Sequence, residues 1–473
     1  MTVFTSSPLP RSRRAGLARL ALVFALAVAA PGTIRADDEP QHELEESTSN
    51  ELDKLKPLLD SKNWDGALNL LSVLRAKLPQ DSYYLALVAN IEAKVYLQKG
   101  DFASAVSPWE LALRLTDAHH FFEDKEVQEM IYFLAQIYYQ DATSTKSSAL
   151  QQQDFAKATQ LLKRWIGNNK KPATDPSVQE AEIFYCSVLY NQAVIDPNKI
   201  DQAGVRAAGV EVGHALRMST HPKETLYLLL LAVAQQQNDY PQLGDVLELL
   251  VKQYPGKKDY WSQLAGVYLT LAATEKDERK ARELNTRAIL AIERAQALGF
   301  MRTPKDNYTL VGIYYNVGQF GRATDLLHAG LRDGSIESDQ KNWELLGSSY
   351  QQVDRPLQAI DALKEGARHF PNSGQLDYQI AQIYYALNKP EESYKALQAA
   401  TAKGHLEKGG AIYGFLGYVS WELGKLEEAQ VAVDTALSYP DTKKNDQQLP
   451  KLKQAIEEAL RDREAAKTRV QTL

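Results

Sequence analysis

Residues 343–371 read WELLGSSYQQVDRPLQAIDALKEGARHFP, and this stretch decides the fold. Its large apolar residues fall three or four positions apart, as on one face of an α-helix, in two runs separated by a polar break. Small residues stand where two closely crossing helices have no room for a larger side chain. Pro371 would end the second helix, so the stretch predicts one helix-turn-helix unit. The positions that define the pattern are Trp343, Leu346, Gly347, Tyr350, Ala359, Leu363 and Gly366.

The pattern returns with a period of about 34 residues, and in this it resembles the tetratricopeptide repeat (TPR). Further units are found at 48–81, 86–119, 224–257, 304–337, 374–407 and 410–443. A single unit of this kind cannot bury its apolar face alone, so neighbouring units must stack. The sequence therefore predicts an all-α fold, a TPR superhelical solenoid of about ten helix-turn-helix units with a C-terminal capping helix.

Two units are longer than the others by the same amount. In 128–172 and 258–302, the two halves of the pattern stand about eleven residues further apart, which is about three helical turns. Residues 271–284 suit an extension of both helices, whereas the Ser-, Thr- and Gln-rich residues 141–153 are expected to form a loop. Residues 177–222 are the most degenerate unit, with a proline break and several glycines, and we expect a bend or a seam between two lobes there.

Residues 1–36 have the features of a signal peptide. They hold five arginines, no acidic residue and an apolar run from Leu20 to Ala30, which is too short to span a bilayer as a helix. Cleavage is expected after Ala36, and an uncleaved membrane anchor is the alternative. Residues 37–47 are expected to be a disordered linker. Because no second apolar run is long enough to span a membrane, we expect a periplasmic or otherwise exported protein with no direct membrane insertion after cleavage.

The rest of the chain divides into three predicted parts. Residues 48–223 are expected to hold N-terminal TPR-like repeats, 224–443 the C-terminal TPR repeats, and 444–473 a capping helix and tail. The apolar residues of the last part lie on one helix face, so the helix can cover the final repeat, and a helix lying on a membrane surface is the alternative. These residues are Leu449, Leu452, Ile456 and Leu460.

The sequence carries no motif of catalytic chemistry. It has no glycine-rich phosphate loop, no HExxH, no paired CxxC and no GxSxG. The lone cysteine, Cys186, is expected to be a small buried apolar residue, and His119-His120 with Glu123 and Asp124 is expected to be a polar turn. We therefore expect no enzyme, no cofactor and no metal. The formal net charge of −6 argues against nucleic acid as a partner.

The first helix of each repeat lines the groove of a TPR array, and protein partners are expected to bind there. The side chains at the groove positions are aromatic and amide-rich, with almost no lysine or arginine. Tyrosine offers a large contact area with a polar tip, and amides pair with an extended backbone. The alternative is that many of these tyrosines pack between helices. The predicted partner-binding residues are Tyr132, Gln136, Tyr308, Tyr315, Gln351, Gln352, Tyr378, Gln382, Tyr385, Tyr418 and Trp421.

Residues 224–473 are similar to the periplasmic TPR proteins that accompany TonB-type energy-transduction systems. The similarity is carried by residues 249–265, which read LLVKQYPGKKDYWSQLA, and by residues 295–298 and 326–334. It implies a periplasmic scaffold beside TonB, ExbB and ExbD components. The alternative is an assembly or secretion factor of the cell envelope without a link to TonB.

Overall fold

The computed structural model describes residues 46–440, 442 and 448–471, and the regular structure in this part is helical throughout. The signal peptide and residues 37–45 of the linker lie outside the described residues. The helices are α1 (Glu46–Asp53), α2 (Leu55–Asp60), α3 (Trp64–Arg75), α4 (Tyr83–Lys99), α5 (Phe102–His119), α6 (Asp124–Ser144), α7 (Ser148–Asn168), α8 (Pro176–Ala193), α9 (Gln202–Arg217), α10 (Glu224–Gln237), α11 (Tyr240–Gln253), α12 (Lys258–Thr274), α13 (Glu278–Ala297), α14 (Pro304–Asn316), α15 (Phe320–Asp333), α16 (Gln340–Gln352), α17 (Pro356–His369), α18 (Gln375–Ala386), α19 (Pro390–Lys403), α20 (Gly409–Glu422), α21 (Leu426–Ser438) and α22 (Leu449–Gln471).

The helices pack as consecutive antiparallel hairpins, which confirms the predicted all-α helix-turn-helix fold. In the C-terminal part the hairpins are α12–α13, α14–α15, α16–α17, α18–α19 and α20–α21, and the second helix of each from α13 to α19 also contacts the first helix of the next. The chain divides into two compact units, Met1–Leu250 and Val251–Leu473. The division falls within α11, later in the chain than residues 177–222, where we expected a seam.

The N-terminal unit has its largest core around α5, α6, α7 and α8. Its helices are also joined by a buried polar chain, in which the Trp109 indole donates to Asn90 Oδ1 at 3.0 Å and Asn90 Nδ2 donates to Glu126 Oε1 at 2.6 Å. These three residues lie on α5, α4 and α6, so hydrogen bonds link three successive helices without leaving the asparagine unpaired. The core side chains include Trp109, Met130, Ile131, Leu134, Phe155, Leu162 and Phe184.

The two long units share one construction. Helices α12 and α13 are extended, as predicted, with Asp277 accepting hydrogen bonds from the first backbone N–H groups of α13. The loop expected at 141–153 is wrong, because α6 continues to Ser144 and α7 begins at Ser148. Ser147 explains the difference: its hydroxyl caps α7, so the polar cluster begins a helix instead of forming a long loop. The fully buried Ala142 anchors the last turn of α6.

The degenerate unit also forms a regular hairpin, of α8 and α9. Its proline break, Asp196-Pro197-Asn198, lies in the loop between the two helices. Gly204 lets the start of α9 approach the end of α8, since a Cβ atom there would stand 2.9 Å from the Ala193 Cβ. Gly209 has the same role toward the next helix, where a Cβ atom would stand 2.9 Å from a Val233 methyl group. Gly204 and Gly209, which weaken α9 as an isolated helix, therefore bring it close to both neighbours.

Helix α22 covers the last hairpin, as predicted for a capping helix. Leu449 and Ile456 are buried against Ala429, Val433 and Ala436 of α21. Leu452 and Leu460 pack at the edge of the same cluster.

At the other end of the described chain, α1 begins at Glu46, so the last two residues of the expected linker are helical. Within the described residues, no helix combines the length and the apolar character that crossing a membrane requires.

Candidate protein-binding face

Four first helices of the C-terminal unit, α14, α16, α18 and α20, carry most of the predicted binding residues. We call the surface formed by the predicted residues on these helices the first-helix face. The start of α14 is fixed by a capping box between Thr303 and Asp306, and that of α16 by Asp339, whose carboxylate accepts from the Asn342 N–H at 2.7 Å. The residues of the face are Tyr308, Tyr315, Gln351, Gln352, Tyr378, Gln382, Tyr385, Tyr418 and Trp421.

On α18 and α20 the face includes a cluster of four aromatic rings. Phe415 stands edge-on to Tyr378 and Tyr385, with ring centroids 6.4 and 5.3 Å apart. Tyr385 in turn contacts Tyr418, with centroids 6.1 Å apart and planes at 75°. These are the edge-to-face arrangements that aromatic pairs prefer. The cluster makes an aromatic strip from one hairpin to the next, and we call these four residues the aromatic strip.

Tyr385 also hydrogen-bonds to the next hairpin. Its hydroxyl pairs with the Tyr418 hydroxyl and the Glu422 carboxylate, and this bonding together with burial raises the Tyr385 pKa well above its ordinary value. The two tyrosines and the glutamate therefore hold α18 and α20 in register at this surface. Because the Tyr385 hydroxyl already has two partners, we expect Tyr385 mainly to support the packing of the strip and less to contact a partner protein.

Several residues of the face are open to solvent. Tyr308 and Tyr418 are each 46% exposed, which is high for tyrosine side chains. Gln351, Gln352 and Gln382 are also exposed, and Gln351 has only a long hydrogen bond of 3.4 Å to a carbonyl of its own helix. These five side chains have the exposure that contact with a partner requires.

Two predicted residues on the face are occupied in packing. Trp421 packs against the cluster that α22 closes, so it supports the cap. The Tyr315 hydroxyl bonds to that of Ser349 on α16, and its ring contacts Phe320 at a centroid distance of 5.5 Å. The geometry therefore separates residues that join helices from residues that face outward.

The two predicted residues of the N-terminal unit do not belong to this face. The Tyr132 ring lies between Trp165 and Phe184, at centroid distances of 5.6 and 6.1 Å. Burial raises the pKa of Tyr132 to about 12, and the Gln136 amide hydrogen-bonds to its hydroxyl. Tyr132 is thus integrated into the core, and the carbonyl oxygen of Gln136 is buried without a hydrogen-bond partner.

Three other tyrosines bond from the first helix of a hairpin to the hairpin before it. The Tyr138 hydroxyl bonds to Glu110, the Tyr314 hydroxyl to Glu293, and the Tyr384 hydroxyl accepts from Lys364 Nζ at 3.0 Å. In each case the partner lies on the second helix of the preceding hairpin. These three tyrosines were not among the predicted binding residues, and their hydroxyl groups bond between helices.

Phe415 is a residue of the strip that the sequence reasoning missed. It lies one position beyond a predicted groove offset, but it is three residues before Tyr418 and therefore shares a helix face with it. This three-residue spacing is the sequence signal that could have identified Phe415 as part of the strip. Exposed apolar side chains also occur on second helices, such as Val210, Leu357 and Val431.

The histidine pair singled out in the sequence lies in a polar turn. His119 stacks on Phe121 at a centroid distance of 5.0 Å, and Asp124 pairs with Lys170 at 2.6 Å. Cys186 is fully buried, as expected, and burial raises the pKa of its thiol.

Comparison with known proteins gives similarities to solved structures alone. No family model and no curated protein sequence match the chain. Among solved structures, the APC/C hetero-tetramer Cut9-Hcn1 is similar over 88% of this chain and 78% of that chain, with 14% identity and a TM-score of 0.26. YrrB, a TPR protein with an unusual peptide-binding site, is similar over 45% and 99%, with 14% identity and a TM-score of 0.31. MamA is similar over 36% and 91%, with 16% identity and a TM-score of 0.26. The assignment of helix-turn-helix repeats rests on the contacts described above.

Proposed function

We propose that this chain is an exported, non-enzymatic scaffold that binds an extended segment of a partner protein on the first-helix face. The observation that carries the proposal is the aromatic strip, which joins α18 to α20 while Tyr418 and Gln382 remain exposed. Exposed aromatic side chains on a rigid support are typical anchors of protein interfaces. The amides beside them can donate to and accept from an extended backbone.

The partner is proposed to belong to a TonB-type envelope complex. Support comes from the resemblance of residues 249–265 to periplasmic TPR components of such systems. In this stretch the Trp261 indole donates to the Pro255 carbonyl at 2.9 Å, and Lys257 lies over the Tyr254 ring. These contacts fix the turn that leads into α12. The alternative partner is an assembly or secretion component of the envelope.

Site-specific photocrosslinking in living cells tests this proposal. A photoreactive phenylalanine analogue replaces Tyr308 or Tyr418 on first helices, and Leu357 or Val431 on second helices as matched exposed controls. We expect one partner adduct from both first-helix positions and none from the control positions. Equal adducts from both sets, or adducts from the controls alone, would contradict the proposed face. Mass spectrometry of the adduct then decides between a TonB, ExbB or ExbD component and another envelope protein.

A further inference from the structure

Among the described residues, one group of metal-ligating side chains stands together in the degenerate hairpin of α8 and α9. Glu182 lies on α8, and Glu211 and His214 lie on α9. One ligand atom from each of the three residues lies within 4.8 Å of the other two. Because Glu182 is far from the other two in sequence, only the pairing of α8 with α9 brings the group together.

Glu182 is the unusual member of this group. The residue is only 3% exposed, and its Oε2 atom is buried without a hydrogen-bond partner. The charged groups that face it are Glu211 and His214. An ionised carboxylate in such a place is costly unless a cation neutralises it. The buried oxygen is therefore an independent sign that a charged ligand completes the group.

The spacing on α9 suits two ligands of one ion. His214 Nδ1 and Glu211 Oε1 are 3.1 Å apart. In this structure the two atoms form a hydrogen bond. Imidazole nitrogens and carboxylate oxygens bind Zn²⁺ at about 2.0–2.2 Å, so two of them on one tetrahedral ion stand about 3.3–3.6 Å apart, and a small separation of the pair would admit the ion. The burial of the three residues also leaves a path for an ion from solvent. Glu182 is buried, Glu211 is half-buried, and His214 is exposed at the surface. An ion can enter beside the imidazole and meet the buried carboxylate.

We propose that Glu182, Glu211 and His214 form a binding site for one divalent transition-metal cation, of which Zn²⁺ is the reference. An imidazole ligand favours such cations over Ca²⁺ and Mg²⁺, which prefer oxygen ligands alone. The ion would join α8 to α9, the hairpin whose second helix is weakened by glycines. This site differs from the expectation of no metal that the sequence motifs gave, because its ligands come from two helices.

The test uses the full chain after treatment with a chelator, titrated with Zn²⁺ by calorimetry and with Co²⁺ by absorption spectroscopy. We expect one strong Zn²⁺ site per chain, Co²⁺ d–d bands, and a higher melting temperature with Zn²⁺. Glu182→Gln and His214→Ala should each weaken binding roughly tenfold or more and remove the rise in melting temperature. Circular dichroism checks that both variants are folded, and the exposed position of His214 makes its variant the safer one.

The matched control is the double variant His119→Ala/His120→Ala, which removes another histidine group with nearby acids. It should bind Zn²⁺ as the parent does, and so should Cys186→Ala. The proposal is overturned if Glu182→Gln and His214→Ala bind like the parent, which would mean that a proton alone neutralises Glu182. It is also overturned if the histidine-pair variant or Cys186→Ala loses the site, because the ligands would then be others.

Discussion

The Trp343 indole lies against the backbone of Gly366, so closely that a Cβ atom at residue 366 would stand 2.7 Å from the indole Cγ. The same hairpin has a second contact of this kind, where a Cβ atom on Gly347 would stand 2.7 Å from a Leu363 methyl carbon. Each helix thus has a glycine at the point where a large residue of the other helix packs against it. This reciprocal contact sets the close approach of α16 and α17.

Gly366→Ala should therefore destabilise the protein although alanine is the better helix former. The added methyl group meets a fully buried ring, and overpacking of this kind costs about 1–3 kcal/mol, against a gain of about 1 kcal/mol in helix propensity. The measurement is the urea midpoint of unfolding. The matched control is Gly266→Ala on α12, where a Cβ atom would meet nothing within 4 Å and the change should be neutral or stabilising. Equal midpoints for Gly366→Ala and the parent would show that the hairpin has room at this contact.

Local sequence patterns predicted the hairpins because the contacts that define a hairpin lie within one repeat. The failure at 141–153 is also local: a Ser and Thr cluster indicates a loop or a helix cap equally well, and Ser147 proved to be a cap. Other features depend on contacts between repeats. The aromatic strip needs Phe415 to meet residues of the previous hairpin, and the group around Glu182 needs two helices to pair. Repeat spacing alone does not contain those contacts.

Ile456→Ala should destabilise the cap of the C-terminal unit. The side chain is fully buried against Val433 and its neighbours, and removing its outer carbons leaves a cavity that costs about 2–5 kcal/mol. Thermal melts of the two proteins measure the effect, with the exposed Glu458→Ala on the same helix as the control. Deletion of residues 446–473 should lower the melting temperature at least as much. Unchanged melting after that deletion would mean that α22 does not protect the last hairpin.

Tyr138 should make the protein lose stability at alkaline pH. Burial, and then the hydrogen bond to Glu110, raise the pKa of Tyr138 to about 12. An unfolded tyrosine ionises near pH 10, so between about pH 10 and 12 the unfolded chain binds fewer protons and stability falls as pH rises. The stabilisation that the raised pKa provides is complete below about pH 10. Above that, the free energy of unfolding falls by at most about 1.4 kcal/mol per pH unit. Tyr138→Phe should flatten the fall in urea-unfolding free energy over this window, with the exposed Tyr308→Phe as the control. An equally steep fall in Tyr138→Phe would assign the alkaline loss to other groups.

The exported chain is predicted to begin near Asp37. The arginines and the apolar run before Ala36 are the basic and apolar regions of a signal peptide, and the acidic residues that follow begin the predicted mature chain. N-terminal sequencing of the protein from an envelope fraction checks this. Recovery of the intact Met1 terminus in that fraction would favour the membrane anchor instead.

Tyr418→Ala should weaken binding of the crosslinked partner while leaving the fold intact. The ring is half exposed and contacts Tyr385 at the edge of the aromatic strip. Its loss removes an anchor and one partner of the Tyr385 hydroxyl, but Glu422 still bonds to that hydroxyl and the core stays closed. An aromatic anchor of this kind costs about 2 kcal/mol or more on truncation, which is roughly a thirtyfold loss of affinity. Calorimetry with the partner segment gives the affinity, and thermal melting gives the stability.

The more exposed Val431→Ala on the second helix of the same hairpin is the matched control, and it should leave the affinity unchanged. Because the proposed contacts are aromatic rings and amides, affinity should also change little between low and high salt, whereas a charged clamp would weaken steeply. A large loss of affinity in Val431→Ala would place the partner on the second helices. A loss of melting temperature in Tyr418→Ala, with full affinity in the folded fraction, would instead show that the ring belongs to the packing between hairpins.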